Sequence, residues 1–223
     1  MLQALLVVFA SYLLGAVPFG LVMVRLIKGL DLRQVGSGNI GATNAMRVLG
    51  KPLGLLAFFL DAGKGLVPTL FFAAHASALD GIFDGALAGL AASLCGIAAV
   101  LGHCFPVYLG FKGGKGVATA CGAVVGVDPF VFVVGGSVWI LVLFTTRFVS
   151  LASIAMGIAF PIAAALLDGD KPAFIGSCAL LTLLILVRHR INITRIRDGS
   201  ETRIGKKDPP TGLDGAQEIH ETT

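Results

Sequence analysis

Three segments of this chain place glycines beside polar and basic side chains, a combination that can bind an anion. The first is residues 36–47, Gly-Ser-Gly-Asn-Ile-Gly-Ala-Thr-Asn-Ala-Met-Arg. Because glycine has no Cβ, consecutive backbone N–H groups can converge there on an oxyanion. Side chains add hydroxyl, amide and guanidinium groups. We predict an anion cradle rather than a flexible linker, built from Ser37, Gly38, Asn39, Gly41, Thr43, Asn44 and Arg47.

The same segment also fits the dinucleotide-binding pattern G-x-G-x-x-G, from Gly36 to Gly41, and an acidic residue, Asp61, lies 20 positions further on. That motif requires a preceding strand within a βαβ unit. Here long apolar segments precede and follow the motif, and Asp61 falls inside one of them. The dinucleotide interpretation is therefore rejected.

The second segment is residues 102–119, and it contains Lys112-Gly113-Gly114-Lys115-Gly116. It resembles a P-loop but is one residue too short and has Gly116 in place of Ser or Thr. An ATPase is therefore disfavoured. The glycine turn leads into a predicted helix, whose first N–H groups are free to bind phosphate. Two lysines beside these N–H groups add full positive charges.

His103 and Cys104 stand at the end of an apolar stretch, just before Phe105-Pro106. His103 either hydrogen-bonds a free carbonyl at a helix end or orients or deprotonates a substrate hydroxyl. Cys104 as an acylated nucleophile is disfavoured, because no His–Asn partner is recognisable. The four cysteines form no CxxC pair, so we expect neither a metal site nor a disulfide framework.

The third segment, residues 188–201, begins a run of five arginines that ends at Arg203. Such a run is typical of a basic tail on anionic lipid. Asn192 and Glu201 do not fit a pure charge patch, so the segment can also contribute to a site.

The composition indicates what must position these segments. Apolar residues make up 56% of the 223 residues and charged residues 13%, and the mean hydropathy is +0.88. A soluble domain cannot bury so much apolar surface. A soluble enzyme, a disordered chain and a secreted disulfide scaffold are therefore excluded, and an all-α polytopic membrane protein is predicted.

Charge-poor runs of about 20 residues mark the membrane spans. We predict seven transmembrane helices, near 2–24, 53–75, 85–102, 115–127, 130–146, 149–167 and 172–188. The fourth is short, and the alternative is six spans with 115–127 as a re-entrant segment. The first is a retained span and not a secretory signal, because it lacks a basic start. The membrane domain is then 1–204, followed by a disordered polar cytoplasmic tail at 205–223.

The basic residues predict the orientation. Of the 17 lysines and arginines, all except Lys64 and Lys171 fall on one face of the seven-span arrangement. The positive-inside rule makes that face cytoplasmic, with the N-terminus outside and the C-terminus cytoplasmic. Asp61 and Lys64 lie inside the second span, three residues apart. An ion pair within the membrane is energetically costly and therefore indicates a structural or functional role. We interpret this pair as a clamp that tethers the glycine segments.

Anion-binding segments at one face of an apolar bundle suit a substrate that is both phosphorylated and lipid-like. Two protein classes fit: an enzyme that joins a phosphorylated head group to an acyl chain, and a transporter of organic phosphate. A transporter is expected to place its polar residues at mid-span. Here they cluster at one face, which favours the enzyme.

The three segments together resemble the bacterial acyl-phosphate:glycerol-3-phosphate acyltransferases, the PlsY family. Ser37 to Asn44 resembles the first motif of that family. Gly102-His103 with Phe105-Pro106 and Phe111 to Thr119 resembles the second, and Asn192-Ile193 with Arg195, Gly199 and Glu201 resembles the third. The resemblance covers about residues 1–203.

The resemblance implies that a fatty acyl group moves from acyl phosphate to the 1-hydroxyl of glycerol 3-phosphate, giving lysophosphatidic acid and phosphate. It implies the bacterial cytoplasmic (inner) membrane, a site on the cytoplasmic face and coupling to the enzyme that makes acyl phosphate. No cofactor, metal or nucleic acid is expected. The implied catalytic residues are Ser37, Arg47, His103 and Lys115. The implied substrate-binding residues are Gly38, Asn39, Gly41, Thr43, Asn44, Lys112, Gly113, Gly114, Gly116, Thr119, Asn192, Arg195 and Glu201.

Overall fold

The structure is a computed structural model that describes residues 2–79 and 88–205, and its regular secondary structure in those ranges is entirely helical. The all-α prediction is confirmed there. The α-helices are α1 (Leu2–Gly15), α2 (Phe19–Lys28), α3 (Ala42–Leu49), α4 (Lys51–Leu79), α5 (Ala88–Cys104), α6 (Val117–Val127), α7 (Pro129–Thr146), α8 (Val149–Leu167), α9 (Pro172–Arg188) and α10 (Arg190–Arg197).

Proline, glycine and aspartate set several of the helix boundaries. Pro18 separates α1 from α2, because its ring nitrogen has no proton to donate. α2 ends at Gly29 with a positive φ of 70°, a conformation that glycine adopts without steric cost. Asp128 starts α7 by accepting hydrogen bonds from Phe130 N and Val131 N, which satisfies free N–H groups at the helix start.

Five helical segments of the described chain are long and apolar enough to cross a membrane: Leu5–Lys28, Lys51–Phe71, Leu90–Leu109, Pro129–Thr146 and Val149–Leu167. α9 and α10 meet at 58° and can together form a sixth. The predicted first span, 2–24, corresponds to Leu5–Lys28. The break at Pro18, which divides this span into α1 and α2, was not predicted. The predicted start of the third span at 85 and nearly all of the predicted tail lie outside the described residues.

α6 connects the two ends of the bundle although it has only 11 residues. At one end, the Ser150 hydroxyl at the start of α8 donates to Glu201 Oε1 (2.5 Å). At the other end, Asp168 after α8 contacts Asp128, the single residue between α6 and α7. α6 covers about 16 Å and α8 about 28 Å. The chain before α6 must therefore descend into the bundle.

Glycines allow α6 to lie directly against α4. A Cβ on Gly65 would be 2.0 Å from Thr119 O, and a Cβ on Gly122 would be 1.9 Å from Ala62 O. These contacts bring the first turn of α6 to the level of α4 at which Asp61 and Lys64 lie. The polar segment before α6 is thus positioned above a buried ion pair.

Candidate active site

Residues 105–116, called the glycine loop, pack against the end of α5. The Gly114 N–H donates to His103 O (3.0 Å). A Cβ on Gly113 would be 2.2 Å from His103 O, and a Cβ on Gly114 would be 2.1 Å from His103 Nε2. Any larger residue at these two positions would push the loop away from α5. The glycines that the sequence singled out are therefore needed for close packing.

Arg188, the last residue of α9, holds the glycine loop from the other side. Its Nε donates to Gly114 O (2.9 Å) and its Nη2 donates to Gly113 O (2.6 Å). Its guanidinium carbon lies 5.3 Å from the centre of the Phe105 ring. The fork geometry of arginine allows one side chain to bind two successive carbonyls. The sequence did not identify Arg188, because it is one of five arginines in a basic run.

Lys115, Asn192 and Glu201 form a hydrogen-bonded chain across the site. Lys115 Nζ donates to Asn192 Oδ1 (2.7 Å), and Asn192 Nδ2 donates to Glu201 Oε1 (2.7 Å). The amide must have this orientation, since an ammonium only donates and a carboxylate only accepts. Ser150, also not identified from sequence, donates to the same carboxylate. The structure therefore brings together residues predicted from two separate segments.

Lys115 lies in a cationic environment. Burial lowers the pKa of its ammonium from 10.5 to about 8; the nearby Glu201 opposes this shift, and the positive charges of Arg195, Arg47 and Arg188 add to it. Four basic groups thus lie close enough to influence one another, against one carboxylate. Such a concentration of positive charge attracts an anion and is relieved when the anion binds.

The buried side-chain amide of Asn44 holds the backbone of the first segment in place. Its Nδ2 donates to the carbonyls of Leu32 (3.1 Å), Val35 (3.0 Å) and Asn39 (2.9 Å). Its Oδ1 accepts the Ser37 N–H (2.9 Å). The side chain is 1% exposed, so its amide is fully used inside the protein. In this conformation Asn44 fixes the backbone of the first segment, and its contact with a substrate stays a prediction.

Three polar side chains of the first segment are accessible from solvent. Ser37, Thr43 and Arg47 are exposed, and Asn39 Oδ1 accepts the Gly41 N–H (2.9 Å) in a local turn. Leu109 of the glycine loop packs against the cluster of Leu21, Val24, Leu32, Ile40, Ala45 and Ala57. That contact brings the two glycine-containing segments to one end of the bundle, where Ser37 and Arg47 are exposed.

Asp61 and Lys64 form the ion pair that the sequence predicted. Lys64 Nζ lies 2.8 Å from Asp61 Oδ1 and also donates to Val17 O (2.8 Å), at the break between α1 and α2. The two residues are 1% and 2% exposed. The pair therefore clamps α4 to the α1–α2 break. The sequence did not predict that His103 Nδ1 also lies 3.7 Å from Asp61 Oδ1.

Two predicted site residues lie below the loop surface. His103 is 4% exposed, and its Nε2 is covered by Gly114, so a contact with an acceptor hydroxyl stays a prediction. Thr119 is fully buried beside α4, and its Oγ1 has no hydrogen-bond partner among residues 2–79 and 88–205. Gly116 precedes α6 with a φ of +78°. Lys112 and Arg195 are exposed at the same end as Lys115.

Residues 2–79 and 88–205 thus form an apolar helical bundle with a cationic, glycine-containing site at one end. Within these ranges no group of three or more His, Cys, Asp or Glu residues could hold a metal ion. A membrane protein that handles an anionic substrate at one face is the class that this arrangement defines.

Comparison with known proteins identifies the family. Residues 5–199 match the family model described as glycerol-3-phosphate acyltransferase. A glycerol-3-phosphate acyltransferase of Rhodospirillum rubrum is 47% identical over 198 residues, which is 89% of each chain. One of Macrococcus caseolyticus is 41% identical over 203 residues, 91% of this chain and 98% of the relative. The chain therefore belongs to the glycerol-3-phosphate acyltransferase family.

Two crystal structures of PlsY, an integral membrane glycerol 3-phosphate acyltransferase, have the same fold, each at 41% sequence identity. The glycerol 3-phosphate form has a TM-score of 0.81 and covers 96% of this chain and 98% of that chain. The lysophosphatidic acid form has a TM-score of 0.79 and covers 91% and 96%. The resemblance derived from the three sequence motifs is confirmed.

Proposed function

We propose that this chain transfers a fatty acyl group from acyl phosphate to the 1-hydroxyl of glycerol 3-phosphate. The products are lysophosphatidic acid and inorganic phosphate. The observation that carries this proposal is the position of Lys115, which lies close to three arginines and within the glycine loop that descends into an apolar bundle. Phosphate groups can bind at the cationic end while an acyl chain lies along the apolar helices.

Several groups are suited to bind the phosphates. Lys115 and Arg47 supply positive charge, and Ser37 supplies a hydroxyl at the exposed surface of the first segment. The first N–H groups of α6 add the partial positive charge of a helix N-terminus. Asn192 and Glu201 hold Lys115 in place. Lys112, Thr43 and Arg195 complete the polar surface at this end.

The reaction proceeds by direct transfer in this proposal. The 1-hydroxyl oxygen attacks the acyl carbonyl carbon, the bond from that carbon to the phosphate oxygen breaks, and a donor phosphate oxygen takes the hydroxyl proton. The cationic side chains stabilise the charge on the carbonyl oxygen and on the departing phosphate. Cys104 and Cys121 are 0% and 5% exposed, which argues against either thiol as a nucleophile. The activated donor requires no cofactor.

A transporter of organic phosphate was the alternative class. Family membership supports the acyltransferase instead. The buried charges Asp61 and Lys64 are paired with each other, so they do not offer an open polar path through the bundle.

We also propose seven spans, with α6 as the fourth, an external N-terminus and a cytoplasmic C-terminus. The support is that α6 joins the two ends of the bundle although it is short. Among residues 2–79 and 88–205, the site end carries all the basic residues except Lys64 and Lys171, as the positive-inside rule requires of a cytoplasmic face. In a bacterial inner membrane this face meets soluble glycerol 3-phosphate and the enzyme that makes acyl phosphate. Single cysteines replacing exposed Asp170 and Arg197 should react with an impermeant maleimide from opposite sides of membrane vesicles.

The function is tested with purified protein in detergent, palmitoyl phosphate and labelled glycerol 3-phosphate, without ATP, acyl-CoA or acyl carrier protein. We expect labelled lysophosphatidic acid and an equal amount of phosphate. Lys115→Ala is the matched inactive variant, and Lys28→Ala, at an exposed lysine on α2, is its control. Lysophosphatidic acid formed only with acyl-CoA would contradict the proposed donor. Glycerol 3-phosphate uptake by proteoliposomes without acyl transfer would support the transporter.

A further inference from the structure

A buried polar array connects the break of the first span with the glycine loop. Val17 O accepts a hydrogen bond from Lys64, Lys64 pairs with Asp61, and Asp61 faces the ring of His103. His103 in turn contacts the glycine loop twice, through its backbone carbonyl and through its ring. The array ends at Gly114, next to Lys115.

The two ring nitrogens of His103 have different surroundings. Nδ1 lies 3.7 Å from Asp61 Oδ1, and it has no hydrogen-bond partner among the described residues. Nε2 lies where a side chain on Gly114 would otherwise be. A carboxylate beside Nδ1 favours the proton on that nitrogen, which leaves the Nε2 lone pair directed at the loop. The tautomer and the ring orientation are then both set by Asp61.

We propose that Asp61 and Lys64 are positioning residues, which hold the His103 ring in one tautomer and orientation and thereby place the glycine loop and Lys115 for acyl transfer. This inference rests on the proposed function. Lys64 keeps Asp61 in place and balances its charge, because an unpaired buried charge would be strongly destabilising. Neither residue needs to touch a substrate.

The position of the glycine loop matters because the rate of acyl transfer depends on how accurately the phosphate-binding groups are placed. A displacement of about 1 Å of a group that binds a reacting phosphate can reduce the rate about 100-fold. Gly114 lies directly against the His103 ring, so a rotation of the ring moves the loop backbone at this residue. Arg188 binds the opposite side of Gly113 and Gly114. Its hydrogen bonds to them do not depend on the orientation of the His103 ring.

The first measurement is the tautomer itself, which does not depend on enzyme activity. Protein labelled with [15N]histidine in detergent micelles gives ring nitrogen signals for its four histidines, and a His103→Gln sample identifies those of His103. We expect the neutral Nδ1–H form in the wild type and a loss of this preference in Asp61→Asn. An Nε2–H form in the wild type, or an unchanged spectrum in Asp61→Asn, would overturn the proposal.

The second measurement separates positioning from simple stability. Asp61→Asn leaves Lys64 as a buried unpaired cation and can fail to fold, so the pair is also replaced as a unit by Asp61→Asn with Lys64→Gln. We expect this double variant to regain the thermal stability that the single variant loses, while its kcat/KM stays about 10- to 100-fold below wild type. A double variant with wild-type kcat/KM would show a merely structural pair and overturn the proposal.

The two measurements distinguish a failure of this inference from a failure of the proposed function. If the wild type makes no lysophosphatidic acid from palmitoyl phosphate, the proposed function fails, and the histidine spectra still decide whether Asp61 sets the ring. If the wild type is active and the spectra or the double variant give the contrary result, only the positioning role fails.

Discussion

The activity of this enzyme should decrease at alkaline pH because Lys115 loses its positive charge there. An arginine at position 115 should abolish this decrease. Burial and neighbouring arginines lower the pKa of the lysine to about 8. For a lysine the charged form exists below the pKa, so the positive charge is present at pH 7 and is lost as the pH rises through 8. A site that needs this charge to bind phosphate must therefore weaken over the same interval.

The size of the effect follows from the titration. With a pKa of about 8, the charged fraction falls from about nine-tenths at pH 7 to about one-tenth at pH 9, so kcat/KM should decrease about tenfold. The substrate phosphate does not cause this limb, because its second pKa is about 6. The limb of kcat should lie at higher pH, since bound phosphate stabilises the ammonium in the complex.

The assay is lysophosphatidic acid formation from palmitoyl phosphate in detergent at pH 6.5–9.5, with spontaneous donor hydrolysis subtracted at each pH. Lys115→Arg carries a guanidinium that stays protonated throughout this range. We expect its alkaline limb to disappear even if the absolute rate is lower, while Lys28→Arg keeps the wild-type profile. The same limb in the wild type and in Lys115→Arg would refute the assignment to Lys115.

Two further variants test other parts of the site. Arg188→Ala removes two charge-assisted hydrogen bonds to the glycine loop, so we expect kcat/KM to fall about 100-fold and the free energy of unfolding to fall by about 2–4 kcal/mol. Arg197→Ala, on the exposed face of α10, is the control, and equal effects of the two would contradict a specific role for Arg188. A Cys104→Ala, Cys121→Ala double variant should keep wild-type turnover in the same assay, and complete loss of turnover would contradict direct transfer.

The helices were the part of the fold that the sequence predicted best. The predicted spans 149–167 and 172–188 match α8 and α9, because charged residues bracket uninterrupted apolar runs there. The break at Pro18 was not predicted, since no charge marks it and both helices continue one apolar run. Hydropathy measures transfer into lipid and is insensitive to a local loss of backbone hydrogen bonds, so a proline break within a span leaves no signal in it.

The candidate site shows a different limit, because one residue type can have two roles. Asn44 and Asn192 both lie in polar segments with glycines, and both resemble family motifs. Asn44 uses its whole amide on the backbone around it, whereas Asn192 connects Lys115 to Glu201. A sequence gives the donors and acceptors of an amide but not their partners, which depend on how the chain folds around it.

The arginines of the third segment show the same limit of sequence-based prediction, because their charge alone does not distinguish their roles. The positive-inside pattern explains every arginine in the third segment equally well, so it cannot single out the one that binds protein. Arg188 is distinguished only by its position at the end of α9, where the glycine loop descends to meet it and presents two carbonyls. Those carbonyls are available because Gly113 and Gly114 lie flat against His103. The role of Arg188 is thus a consequence of two glycines 74 and 75 residues away in the chain, since a Cβ at either position would clash with His103 and displace the carbonyls that this arginine binds.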